Sequence, residues 1–329
     1  MQRWITRFLI VSVCLFVLPR QVPAPLVYRA GEGWSYEPVG GAKWTRGRAK
    51  DQLDVAQTAF DQKDYSLALK AARRTVRVWP LSDFAPQAQY LAGRCYEAEG
   101  KDEKAFKEYQ KVLEKYPKIP NYDEILQRQF QIANRYLAGQ WFKLWGYIPF
   151  FSNMQKTSEM FEKVIRNGPF SGVAAQAQMN IGAAREKQSD FPLAVKAYEK
   201  AADKYHDQKN VAADALFKAG LAYRKQAKAA EYDQSVAGHA ISTFTDFVTL
   251  FPNEPRVSEA QKIIQELKTE QARGSVEIAR FYEKKKQWQG AKVYYNEAVN
   301  KDPNSPYAEH AKRRIEEINR RTAQRTAQN

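Results

Sequence analysis

Small residues return along this chain at a fixed beat, and rings follow them at helical spacing. Gly93 precedes Tyr96 by three and Ala105 precedes Tyr109 by four, so each pair shares one face of a helix. Gly182, Ala194, Tyr198 and Ala201 repeat the pattern, and so do Ala279, Tyr282, Ala291, Tyr295, Ala298 and Pro303. In each case the two small residues stand twelve apart, which predicts two helices closing on each other where their backbones can approach. Glu99-Gly100-Lys101-Asp102 and Ser189-Asp190-Phe191-Pro192 supply the turns between them, with Asp or Pro at the next helix start. No segment offers the apolar alternation of a strand.

Stretches ending at Pro80, Pro117, Pro169, His206, Pro252 and Pro303 recur near the period of about 34 residues of the tetratricopeptide repeat. The expectation is an all-α, right-handed superhelical solenoid of about five to six helical hairpins. Its first hairpin has Ala56, Ala59, Ala68 and Pro80 in place but no ring at either ring position. Two hairpins carry insertions, near 139–153 and 226–238. A further helical stretch from Arg256 to Gln271 precedes the last hairpin, and Pro306 to Arg321 forms a closing polar helix. The predicted division is a signal peptide over 1–24, an extended Gly, Pro and aromatic tether or strap over 25–47, the solenoid over 48–321 and a polar, frayed tail over 322–329.

Phe8 to Leu18 is an unbroken apolar run behind Arg3 and Arg7, too short to span a bilayer but of the length of a secretory leader. Export follows. Val22-Pro23-Ala24 is one processing site, and Cys14, as a lipidated residue, is the alternative. Cys95 reads as a small buried hydrophobe.

The formal net charge of +15 favours acidic partners or a solvated basic surface. Basic residues scatter, densest at Arg73-Arg74 and Lys312-Arg313-Arg314, without a nucleic-acid motif; no nucleic acid is expected, and a basic nucleic-acid or anionic-lipid binder is the rival from another class. His206, His239 and His310 lack metal-ligand spacing. No phosphate loop, nucleophile elbow or zinc motif occurs, so the chain is expected to be no enzyme and to take no cofactor or metal.

Binding then carries the function. The first-helix positions beside the packed stripe are Gln57, Tyr90, Arg94, Gln127, Phe130, Asn134, Gln176, Met179 and Phe217, the expected wall for a client peptide. Gln and Asn can bond its backbone and Arg94 a carboxylate. The insertion holding Trp141, Phe142, Trp145, Tyr147, Phe150 and Phe151 is either a plug or an exposed membrane or partner contact.

The segments FQIANRYLAGQWFKLWG and SVEIARFYEKKKQWQGAKVYYNEAVNKDPNSPYAEHA resemble the BamD (YfiO) family over roughly Arg48 to Arg321. The resemblance implies a periplasmic adaptor associated with the outer membrane that binds unfolded outer-membrane proteins through its N-terminal repeats. It also implies docking to a barrel-assembly component through the C-terminal ones, here near Phe281, Tyr282, Trp288 and Lys292. The family is normally lipid-anchored, whereas Val13 and Leu15 to Leu18 depart from a lipoprotein signal around Cys14. A periplasmic scaffold for envelope or peptidoglycan machinery is the alternative on the same fold.

Overall fold

A computed structural model describes residues 26–29, 33–36, 44–144, 148–151, 153–229 and 234–328. The chain divides into two compact units, residues 1–125 and 126–329.

The first unit opens with an antiparallel pair, β1 (Leu26–Arg29) and β2 (Gly33–Tyr36), in which Tyr28 stands opposite Trp34. Four helices follow: α1 (Ala49–Asp61), α2 (Tyr65–Val78), α3 (Ala85–Ala98) and α4 (Asp102–Lys115). Their shared core is mostly alanine, including Ala56, Ala68, Ala72, Ala88 and Ala92, with Cys95 among them. Methyl-sized side chains bring the helix axes close, and many short contacts replace a few large ones. Burial pushes the Cys95 thiol up to about 12, as a packed hydrophobe requires.

The incoming chain is fastened here. Gln52, fully buried, donates to the Trp44 carbonyl at 3.2 Å and accepts from the Arg46 amide at 2.8 Å and from Arg74 Nε at 3.1 Å. Residues 44–46 are therefore a strap against the first hairpin. Glu108, 6% exposed, plays a similar part between α2, α3 and α4, accepting from Arg73, Gln89 and Lys111.

The second unit contains most of α5 (Tyr122–Leu137), then β3 (Phe142–Leu144) and β4 (Ile148–Phe151). Helices α6 (Met154–Asn167), α7 (Ala174–Lys187), α8 (Phe191–Lys204), α9 (Lys209–Ala229) and α10 (Gln234–Leu250) continue it. It closes with α11 (Val257–Lys284), α12 (Trp288–Lys301) and α13 (Pro306–Gln328).

Four expectations change. The aromatic insertion forms a β-hairpin, with Lys143 opposite Pro149 and Leu144 opposite Ile148. The 226–238 insertion is largely helix, because α9 runs on to Ala229 and α10 begins at Gln234. The stretch from Arg256 is no separate helix: nothing in VSEAQKIIQELKTEQARGSVEIARFYEK stops it, so one 28-residue helix results. Its first half packs Ala260, Ile263 and Leu267 against α9 and α10, and its second half packs Ala272, Val276 and Ala279 against α12 and α13. The closing helix also extends beyond Arg321 to Gln328.

Within the hairpins one device recurs. A Cβ added at Gly93 would fall inside the Tyr109 ring, and one at Gly182 inside the Tyr198 ring, so the missing side chain is what lets the ring lie across the partner helix. The ring hydroxyl then reaches a carboxylate one turn further along: Tyr109 donates to Glu97 at 2.6 Å, Tyr198 to Glu186 at 2.7 Å and Tyr295 to Glu283 at 2.7 Å. These three rings are fully buried, and a buried hydroxyl without such an acceptor is costly.

The turns inside four hairpins share a left-handed residue: Lys63 (φ 63°), Gly100 (φ 67°), Ser189 (φ 59°) and Lys286 (φ 59°). After two of them an aspartate caps the next helix, Asp64 accepting from the Leu67 amide and Asp190 from the Leu193 amide.

Candidate functional site

The first unit holds a cleft of about 510 Å³ between α1, α3 and residues Pro120 and Asn121. Three of the expected wall residues meet there. Gln57 is exposed and donates to Asp61 at 2.9 Å; Tyr90, half-buried, donates to Glu124 at 2.5 Å. Between them Arg94 lies over two rings, 5.1 Å from Phe60 and 5.8 Å from Tyr90. Among the described residues Arg94 has no ion pair. The two rings hold its guanidinium in place, where it can take an incoming carboxylate. Asp54 and Asp61 line the same cleft and can accept backbone amides, so one end suits an anion and the other a donor.

Phe60, Asp54 and Asp61 were missed by the sequence reading. The signal was there: Gln57 and Asp61 are four apart on the same face of α1.

In the second unit, α5 and α7 present amides. Asn180 donates to Asn134 at 2.7 Å and accepts from Gln176 at 3.0 Å. Gln127 is exposed on α5. Asn180 joins two expected residues into one row and was also missed. Three expected wall residues are core instead: Phe130 is 8%, Met179 2% and Phe217 5% exposed. Phe130 packs edge-on against Phe161, Met179 joins the α7–α9 cluster, and Phe217 lies against Phe244 beneath the Arg256 guanidinium. At those positions the first helix turns toward a neighbouring helix, so an apolar side chain is absorbed where a polar one stays outside.

At the C-terminal end Phe281 is 57% exposed. Its edge meets Tyr282, which stacks on Tyr294 at 5.3 Å. Trp288 is half-buried against the last core, and Lys292 donates to Asn319 at 3.1 Å.

The aromatic insertion divides its roles. Phe142 is buried, stacked on Tyr136 at 4.1 Å with the Lys156 ammonium over it, while Trp141 is exposed. Phe150 and Phe151 belong to β4, and their side chains, like Trp145 and Tyr147, lie outside the described residues. So do Cys14 and the expected leader.

The histidines serve locally: His206 contacts the Asp203 carbonyl, His239 stacks on Tyr223 and His310 meets the Tyr295 ring edge. Among the described residues no cluster of metal-ligating side chains occurs and no helix is long and apolar enough to cross a membrane.

Stacked hairpins, a ring clamp in three of them and helix-face clefts define the repeat. Residues 53–120, from α1 to just beyond α4, match a tetratricopeptide-repeat family. Residues 151–301, from the end of β4 through α12, match the YfiO family, outer membrane lipoprotein. The chain thus carries tetratricopeptide hairpins and a segment similar to the YfiO family. Both families are protein-interaction scaffolds. Among solved structures, the C-terminal part of a tetratricopeptide-repeat protein from Cytophaga hutchinsonii shares 15% identity. That match covers 80% of this chain and 87% of that one, with a TM-score of 0.36. MamA from Desulfovibrio magneticus RS-1 shares 16% over 63% and 97%, TM-score 0.32. YrrB, described as a repeat protein with an unusual peptide-binding site, shares 14% over 65% and 92%, TM-score 0.33. No curated protein matches the chain.

Proposed function

We propose that this protein is a non-enzymatic adaptor of outer-membrane barrel-protein assembly at the periplasmic face of the outer membrane. It holds an extended client segment in the α1–α3 cleft and docks a partner component through its last repeats. The observation that carries the reading is Arg94, stacked on Phe60 and Tyr90 without a carboxylate partner among the described residues, beside a face that offers acceptors. Such a cleft takes a chain terminus: the carboxylate on the guanidinium fork, the penultimate amides on Asp61 or Gln57, and an apolar side chain on Tyr90. The YfiO match over α6 to α12 supports the outer-membrane setting.

Titration of a labelled C-terminal peptide of a barrel protein tests it. Wild type binds, Arg94→Ala weakens binding about tenfold or more, the size of one lost charge-assisted pair, and an amidated peptide shows the same loss on wild type. Equal affinities for Arg94→Ala and wild type would remove the cleft from the mechanism.

A further inference from the structure

The long helix α11 carries a strip that neither hairpin uses. Ile278 and Phe281, with Lys285 at the C-cap, stand three and four apart on one side of the helix. Ile278 is 37% and Phe281 57% exposed. Beside α9 and α10, Ala227, Ala237, Leu267 and Ile278 line a groove of about 970 Å³. The groove exists because α11 serves two cores in series, its second half leaving α9 and α10 behind.

The charges along this strip are one-sided once pairing is counted. Its carboxylates are already matched: Glu266 to Arg224 at 2.8 Å, Glu270 to Arg273 at 2.9 Å and Glu277 to Arg280 at 2.8 Å. Lys228 and Lys262, which line the groove, have no carboxylate partner among the described residues. Nor have Lys284, Lys285 and Lys286 at the far end, where the Lys285 ammonium lies 5.9 Å from the Phe281 ring centre. The exposed pair Ile278 and Phe281 thus lies between two sets of unmatched cations.

We propose that this strip binds an amphipathic helix with acidic flanks, belonging to the partner that the last repeats dock, and so it rests on the docking half of the function proposed above. Ile278 and Phe281 take the apolar face, and the lysines at both ends take carboxylates. The groove that Ile278 borders favours a helix over a flat bilayer surface.

The test uses the full chain and a fluorescein-labelled peptide of about four helical turns, Leu on one face with Ala and Glu elsewhere, against a control with Lys for Glu. Binding of the Glu peptide is expected, with Phe281→Ala and Ile278→Asp each weakening it about tenfold and Lys228→Glu with Lys285→Glu weakening it similarly. Added salt should reduce it. Melting curves confirm that the exposed Phe281→Ala variant is folded. Equal binding of both peptides, or indifference to Phe281→Ala, overturns the proposal. So does capture of phosphatidylglycerol vesicles with no binding of the Glu peptide. If the peptide fails while the barrel-assembly component still co-purifies with wild type, the docking reading stands and this strip is not its seat.

Discussion

The hairpins α3–α4 and α9–α10 make the same crossing with different chemistry. In the first, Gly93, Glu97 and Tyr109 form a closed set, ring over glycine and hydroxyl on carboxylate. In the second, Gly220 again admits a ring, but it is Phe244, and the position four after the glycine is Arg224. Tyrosine and glutamate are present together in three hairpins and absent together here. The pairing shows what the glutamate is for: it answers a buried hydroxyl, and where the hydroxyl is missing the position is released. Arg224 spends that release on Glu266 of α11 at 2.8 Å, tying down the first half of the long helix.

The largest effect should come from refilling the crossing. Gly93→Leu forces a side chain into Tyr109 and should cost about 1 to 3 kcal/mol, whereas Gly172→Ala, with nothing near its Cβ, should leave the melting temperature unchanged. Next, Phe244→Tyr puts a hydroxyl where no glutamate waits, at about 1 to 3 kcal/mol for a buried unpaired group. Adding Arg224→Glu should restore part of it, less the lost pair with Glu266, and a double-mutant cycle by denaturant unfolding measures that coupling.

Alkali gives a third handle on the comparison. Burial and the Glu283 carboxylate push the Tyr295 phenol up to about 12, so the folded state holds this proton more tightly than the unfolded chain, where a phenol titrates near about 10. Stability from this group is full below about pH 10 and is lost as pH rises toward about 12. Tyr295→Phe should flatten that part of the stability profile. The smallest effect belongs to Arg224→Ala: a partly exposed ion pair is worth about 0.2 to 1 kcal/mol, visible as earlier fraying of α11 in hydrogen exchange before any change in melting.

Much of this was legible in the sequence. Small residues twelve apart gave the crossing points, Gly100 and Asp190 gave turns, and the ring positions marked the partner face. What escaped was set by contacts between hairpins. Met179 and Phe217 look like wall residues by spacing, yet a neighbouring helix buries them, and spacing within one helix carries no trace of that. The fusion of residues 257–284 into one helix escaped for a local reason: two repeat units met without a Pro or a left-handed residue to part them. In the α1–α3 cleft, Gln57, Tyr90 and Arg94 were readable by face, while Phe60, half inside the core, became visible as an Arg94 platform only once α1 and α3 were side by side.

The left-handed residues inside the hairpin turns bear on how the molecule could be toughened. Three of those four corners carry side chains, at Lys63, Ser189 and Lys286, in a conformation that disfavours them by about 1 to 2 kcal/mol. Trimming a corner to glycine relieves that strain but loosens the unfolded chain by about 0.4 to 1 kcal/mol, so each exchange nets a gain below about 1.6 kcal/mol. Lys63 and Ser189 are clear of both binding faces and can be trimmed for heat resistance alone. At Lys286 the same cut would strip one of three consecutive cations at the end of the docking strip, so there durability and grip are traded against each other.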